Sequence, residues 1–327
     1  MEKPLDFVAI GDTVVDAFIR LSTGHVQETA NGPELCIPYG SKVPFESVTV
    51  VPAVGNSANA AVSASRLGLH SGLVSFLGKD QNGRDCLDRL QSEGVDVSFV
   101  TEEEGKPTNY HYVLWYGDDR TILIKHSDFT TKLPDIGSPS WIYLSSLGAH
   151  ARELHFELAA YKQSHPNTKI AFQPGTFQLG MKRELDDLYK VTDVVCVNKE
   201  EAQGLLETDE HDIKILLDGL EKLGPHTVLV TDGHDGAYMK YDNTYFRMPI
   251  YPDIAPPFER TGAGDAFFST FVSYLAKGYD AAYAIKRAPI NSMNVVQHIG
   301  AQEGLLSESA IEEYLSKAPE GYDLEIM

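Results

Sequence analysis

Positive charge is scarce in this chain: 27 Lys and Arg stand against 47 Asp and Glu, a formal net charge of −20 over 327 residues. That balance argues against nucleic acid and anionic membranes as partners. Cysteine is nearly absent as well. Cys36, Cys86 and Cys196 lie far apart with no CxxC pair, which fits reduced thiols and speaks against a zinc cage. No apolar run approaches the length of a membrane helix. The opening Met1-Glu2-Lys3-Pro4-Leu5-Asp6 lacks the basic-then-apolar order of a secretory signal, so a cytoplasmic protein is expected. Also missing are a GxxxxGKS/T loop, a GxSxG elbow, an HExxH pair and a GxGxxG turn, whose last glycine position is taken by Phe267. P-loop enzymes, serine hydrolases, zinc proteases and dinucleotide oxidoreductases thereby lose their sequence support. No internal repeat is visible.

Short β-like runs alternating with helical patterns are present, the signature of a mostly parallel sheet with helices on both faces. Phe7–Ile10, Trp141–Leu144, Lys169–Phe172, Val194–Val197 and Val228–Val230 each end in glycine or polar residues, where open α/β sheets place their ligands. Two segments break the rhythm, about 17–52 and about 98–126, the second a hairpin turning at Gly117-Asp118-Asp119. We read residues 1–327 as one α/β domain with these two segments inserted as a small antiparallel β lid. Its apolar face needs covering, by substrate or by a second copy in a homodimer.

The run Gly262-Ala263-Gly264-Asp265-Ala266 precedes Phe267–Ala276, whose apolar spacing is helical and stops at Gly278. A small-residue loop opening a helix points free N–H groups and the positive dipole end at a docked anion. A carboxylate there repels that anion unless it takes a proton from an attacking hydroxyl. The same spacing also serves a plain helix start with small residues for packing. Asn198 and Glu201, after a buried strand, read as an N-cap and its capping box. Asn59 reads as a buried hydrogen-bond hub, and Thr231 to Gly236 as a turn between strands.

Glu259-Arg260-Thr261-Gly262-Ala263-Gly264-Asp265 resembles the C-terminal D-T-T-G-A-G-D signature of the ribokinase-type carbohydrate kinases, the phosphofructokinase-B family. Val54-Gly55-Asn56-Ser57-Ala58-Asn59-Ala60-Ala61 is similar to its G-G-x-x-x-N-x-A segment. Gly78-Lys79-Asp80-Gln81-Asn82-Gly83 resembles its G-x-D-x-x-G turn, Asn198-Lys199-Glu200-Glu201 its N-x-x-E motif, and Thr231 to Gly236 its nucleotide-gripping loop. Five matches in the family's order are far more specific than any one of them.

The resemblance implies ATP and Mg²⁺, and in the family also a monovalent cation. It makes Asp265 the general base and Gly262, Ala263 and Gly264 the anion hole. Asp16, Gly55 and Asn59 fall at the acceptor, and Asn198, Thr231, Gly233 and Gly236 at the nucleotide. Glu201 falls at Mg²⁺, acting through water. The pattern is broken at Val54 (a glycine in the family), at Glu259-Arg260 (Asp-Thr) and at Phe172-Gln173-Pro174-Gly175 (F-D-x-N). Lys42 matches a phosphosugar clamp poorly, so the expected reaction is ATP-dependent phosphorylation of a small unphosphorylated sugar. The other readings are an adenosine-type nucleoside kinase, with the aromatic lid over a base, and a sugar- or nucleotide-binding regulator without catalysis.

Overall fold

The computed structural model describes residues 4–30, 32–117, 119–257 and 260–327; Asp118 of the hairpin turn and Glu259 lie outside them. Its centre is a ten-stranded sheet. In spatial order the strands are Val100–Glu103, Ser71–Gly78, Phe7–Ile10, Trp141–Leu144, Lys169–Phe172, Val194–Asn198, Thr227–Thr231, Ala237–Tyr241, Thr244–Met248 and Glu325–Ile326. From the first to Thr227–Thr231 every pairing is parallel, and the last three strands join antiparallel. The strands read as continuous apolar runs because both faces are covered. Alternation sends Phe7, Ala9, Tyr143 and Leu229 into one core and Val8, Ile10, Ile142, Leu144 and Phe172 into the other. Among the described residues no helix is long and apolar enough to cross a membrane.

A second sheet of four strands runs Phe45–Val54, Val14–Leu21, Tyr110–Tyr116, Asp119–Leu123. Two of its pairings are antiparallel, but Val14–Leu21 and Tyr110–Tyr116 run parallel. The reason is that these two strands come from different insertions. A separate hairpin, His25–Thr29 with Gly32–Cys36, extends the lid. Register gives the four-stranded sheet two unlike faces. Asp16, Phe18 and Val51 share one, and Phe18 and Val51 lie beside Gly300 of the main body. The other carries Val50, Ala17, Tyr112 and Leu123 in one row. Val50 is 52%, Tyr112 47% and Leu123 50% exposed, an apolar outer stripe.

Candidate active site

The parallel strands end on one edge, and polar side chains gather there. The helix Ala263–Ala276 is capped by Gly262 at φ 81°, and its first full-turn hydrogen bond is Ala266 N to Gly262 O, 2.8 Å. The amides of Gly264 and Asp265 precede that bond, and the amide of Ala263 reaches Arg260 O only at 3.5 Å, so the helix start offers donors. A Cβ on Gly262 would lie 2.3 Å from Ala301 Cβ; glycine alone permits this approach.

Asp265, one turn into that helix, is buried. Its Oδ1 accepts from Asn56 Nδ2 at 2.7 Å and from Gln173 Nε2 at 3.3 Å, and its Oδ2 accepts from Asn59 Nδ2 at 2.8 Å. Burial pushes this carboxyl above its usual range, and the three amides oppose the push. Gln173 is fixed from behind, its Oε1 accepting from the Tyr143 hydroxyl. Asn59 is fixed likewise: Gln302 Nε2 donates to Asn59 Oδ1 at 3.1 Å and to Ala53 O at 2.6 Å. Ala53 sits near the end of the long lid strand at φ 61°. Gly55 caps the helix Asn56–Arg66 at φ 109°, with room for no Cβ because Asp12 O would be 2.6 Å away.

On the lid side, Asp16 Oδ1 lies 3.4 Å from His111 Nδ1. His111 Nε2 meets His126 Nε2 at 3.2 Å, and His126 Nδ1 meets Asp12 Oδ2 at 3.2 Å. Gly148 N donates to the same oxygen at 2.8 Å, and His150 Nε2 is 3.4 Å from Asp12 Oδ1. Burial alone would raise the Asp12 pKa, but hydrogen bonds from His126 and His150 outweigh it and hold it at about 2. Asp16 and Asn59, expected together at the acceptor, make different contacts: Asn59 with the Asp265 carboxylate, Asp16 with this histidine chain.

Beyond the helix start opens a cavity of about 210 Å³. Its lining includes Thr231, Gly233, Gly236, Ala263 and Gly264 together with the apolar side chains of Phe267 and Met293 and the ring of Tyr251. Asn198 is the register neighbour of Thr231 and forms the capping box its sequence indicated: Oδ1 accepts from Glu201 N at 2.7 Å, and Glu201 Oε2 accepts from Asn198 N at 2.8 Å. Burial raises the Glu201 carboxyl above its usual range, the Asn198 N–H opposes it, and the charges of Glu200 and Asp265 add to the rise. Among the described residues no three His, Cys, Asp or Glu side chains are grouped to hold a metal by themselves. Mg²⁺ needs less: one or two carboxylates, substrate phosphate and water, and Glu201 fits that need.

Reading the sequence missed Asn56, Gln173, Tyr143, Gln302 and the chain of Asp12 with His111, His126 and His150. Gln173 carried a signal as the point where the F-D-x-N pattern breaks, and Asn56 lay inside a matched segment; the register that sets His111 beside Asp16 did not show in sequence.

The model of the pfkB family of carbohydrate kinases matches residues 3–308. The chain is 27% identical to the 2-dehydro-3-deoxygluconokinase of Thermoproteus tenax over 280 residues, 80% of this chain and 84% of that one. It is 27% identical to the ribokinase of Bacillus subtilis over 292 residues, 85% of this chain and 92% of that one. The structure of Arabidopsis thaliana ribokinase complexed with ribose and ATP superposes with a TM-score of 0.78 at 19% identity, covering 96% and 99% of the two chains. A family match spanning nearly the whole chain, on a ribokinase-like fold, identifies this protein as a member of the pfkB carbohydrate kinases, ATP-dependent phosphotransferases.

Proposed function

We propose that the protein transfers the γ-phosphoryl group of ATP to a hydroxyl of a small unphosphorylated sugar. The observation that carries this reading is the buried Asp265 carboxylate at a helix start whose amides adjoin the 210 Å³ cavity. The nucleotide takes that cavity, its phosphates toward Gly264 and its base against Tyr251, Phe267 and Met293. The acceptor lies under the lid between Asp16 and Asp265, with Gly55 leaving room at the start of its helix. Asp265 removes the hydroxyl proton as that oxygen attacks the γ-phosphorus and the ADP oxygen leaves. The Gly262, Ala263 and Gly264 amides stabilise the charge on the transferring group, each such donor contributing about 3–4 kcal/mol in comparable sites. Glu201, with Asn198 fixing its orientation, holds Mg²⁺ through water, and the ion supplies neutralisation of phosphate charge. The remaining acceleration comes from positioning.

The polar His111 facing Asp16 favours a sugar, and a nucleoside is the second reading because Phe18 and Trp115 share that lid face. A regulator without catalysis has no use for a carboxylate buried at the cost this one bears. The outer lid stripe suits a second copy of the chain, giving a homodimer. Free Cys36, Cys86 and Cys196 accord with a cytoplasmic setting.

The test is Asp265→Asn, assayed by ADP release over a panel of sugars, sugar acids and nucleosides. The variant is expected to bind ATP as the parent does and to lose turnover by at least about a hundredfold. Near-normal turnover removes Asp265 as base. Turnover on nucleosides alone replaces the sugar reading, and ligand-dependent melting shifts without any turnover in the parent favour the regulator.

A further inference from the structure

Three primary amides hold one carboxylate, and they are not equivalent. Asn56 and Asn59 project from the first turn of the helix beneath the lid, on the side where an acceptor enters. Gln173 comes from the opposite side, at the end of the strand Lys169–Phe172. Its backbone N–H is tied to Leu144 O at 2.9 Å. Its side-chain oxygen accepts from Tyr143, which is wholly buried between Phe7 and Phe268, ring centroids 5.6 and 5.2 Å away. Tyr143 is a permanent donor, since burial first, and then the charge of Asp265, push its phenol well above the usual range. With that oxygen satisfied, the Gln173 amide has one consistent orientation, N–H₂ toward Asp265; the flipped amide would set oxygen against carboxylate. Gln173 stands where the family pattern F-D-x-N has its aspartate, a departure of this chain.

We propose that Gln173, locked by Tyr143, is a positioning residue that holds and orients the Asp265 carboxylate through turnover. The proposal rests on Asp265 acting as base. A carboxylate has about four lone-pair directions, and the three amides fill three of them. The fourth is left for the acceptor proton. If all left, the buried carboxylate would lose its donors and protonate, and a protonated acid cannot serve as a base. Gln173 keeps one donor in place whatever the acceptor does, because its anchor is in the core and not in the acceptor site. The other titratable groups facing this carboxylate are Tyr143 and Glu201, with Cys196 behind Tyr143. Burial raises the Cys196 thiol far enough to keep it neutral, which leaves Glu201, itself raised by burial, as the carboxylate neighbour.

The test uses Gln173→Met, close in volume and without donors, and Tyr143→Phe, which frees the Gln173 amide to rotate. Turnover is measured from about pH 5.5 to 9 on an acceptor found for the parent, with ATP affinity and melting temperature alongside. For Gln173→Met the expected kcat loss is about tenfold near pH 6, shrinking to about threefold or less near pH 8.5, with unchanged ATP affinity. Tyr143→Phe should show the same pH pattern with a smaller loss, and it decides the matter if Gln173→Met does not fold. A loss that is uniform across pH, or no loss, overturns the proposal and leaves Gln173 a packing residue. The underlying assignment fails separately, through an active Asp265→Asn.

Discussion

Gly262→Ala tests the helix start most directly. The new Cβ would sit 2.3 Å from Ala301 Cβ and 2.7 Å from Ala301 Cα. Carbon atoms pack at about 3.5–4.0 Å, so the helix end or the Ala301 backbone must retreat by roughly 1.2–1.7 Å. The φ of 81° adds roughly 1–2 kcal/mol for any residue with a Cβ, and overpacking adds about 1–3 kcal/mol. At about 2.1 cal/mol/K per residue the unfolding entropy of a 327-residue chain is about 0.7 kcal/mol/K, so a total of about 2–5 kcal/mol lowers Tm by about 3–7 °C. Function should suffer far more than stability. A displacement of about 1 Å at a reacting group costs on the order of a hundredfold in rate, and here the displaced groups are Asp265, the proposed base, and the amides beside it. Calorimetry gives the Tm, and coupled ADP release gives kcat and KM on the same preparation. Ala301→Gly in the same chain removes the nearest atom but leaves Ala301 Cα in place, so it should restore only part of the activity. If Gly262→Ala loses the expected stability yet keeps kcat within about threefold, the amides do not serve the transferring group and the anion-hole reasoning is wrong.

Two further outcomes follow from other parts of the molecule. The Asp12 pKa of about 2, against the ordinary 3.8 of a free aspartate, makes this carboxylate a stabilising group above its unfolded pKa. The contribution, about 2 kcal/mol, should be full above about pH 4 and vanish as pH falls from 4 to 2. Urea titrations of Asp12→Asn against the parent should therefore converge in that window, and an equal difference at pH 6 and pH 2.5 would refute the linkage. On the outer lid face, Val50→Asp places a charge in the row with Tyr112 and Leu123. Sedimentation equilibrium at micromolar concentration should show the parent as a dimer and the variant as a monomer, and a monomeric parent removes the homodimer.

Much of the fold was legible because the apolar runs are buried on both faces and end where the polar residues begin. Phe7–Ile10, Trp141–Leu144 and Lys169–Phe172 needed no distant information to be read as central parallel strands. The lid was harder. Its two segments could be marked by their alternation, but the parallel pairing of Val14–Leu21 with Tyr110–Tyr116 joins separate insertions that no local pattern connects. The loop from Gly262 to Asp265 was legible for the same reason as the strands, since a glycine N-cap and the helix it opens are neighbours in sequence. The partners of Asp265 were not. Asn59 lies 206 residues away and Gln173 92 residues away, and a glutamine after a strand has many uses. Asp16 could be named as a candidate, but the histidines that meet it and Asp12 are brought there by the lid.

The side chain of Gln302 gives one amide nitrogen to two masters: the carbonyl of Ala53, near the root of the lid strand, and the oxygen of Asn59, whose nitrogen grips Asp265. The covering flap and the Asp265 carboxylate are thus joined through a single –NH₂ group, with two hydrogen bonds between carboxylate and linker. Swinging the flap on its root pulls on the same group that seats Asn59. Loosening either end therefore disturbs the other, and a change at Gln302 intended to free the flap will also unsettle Asp265.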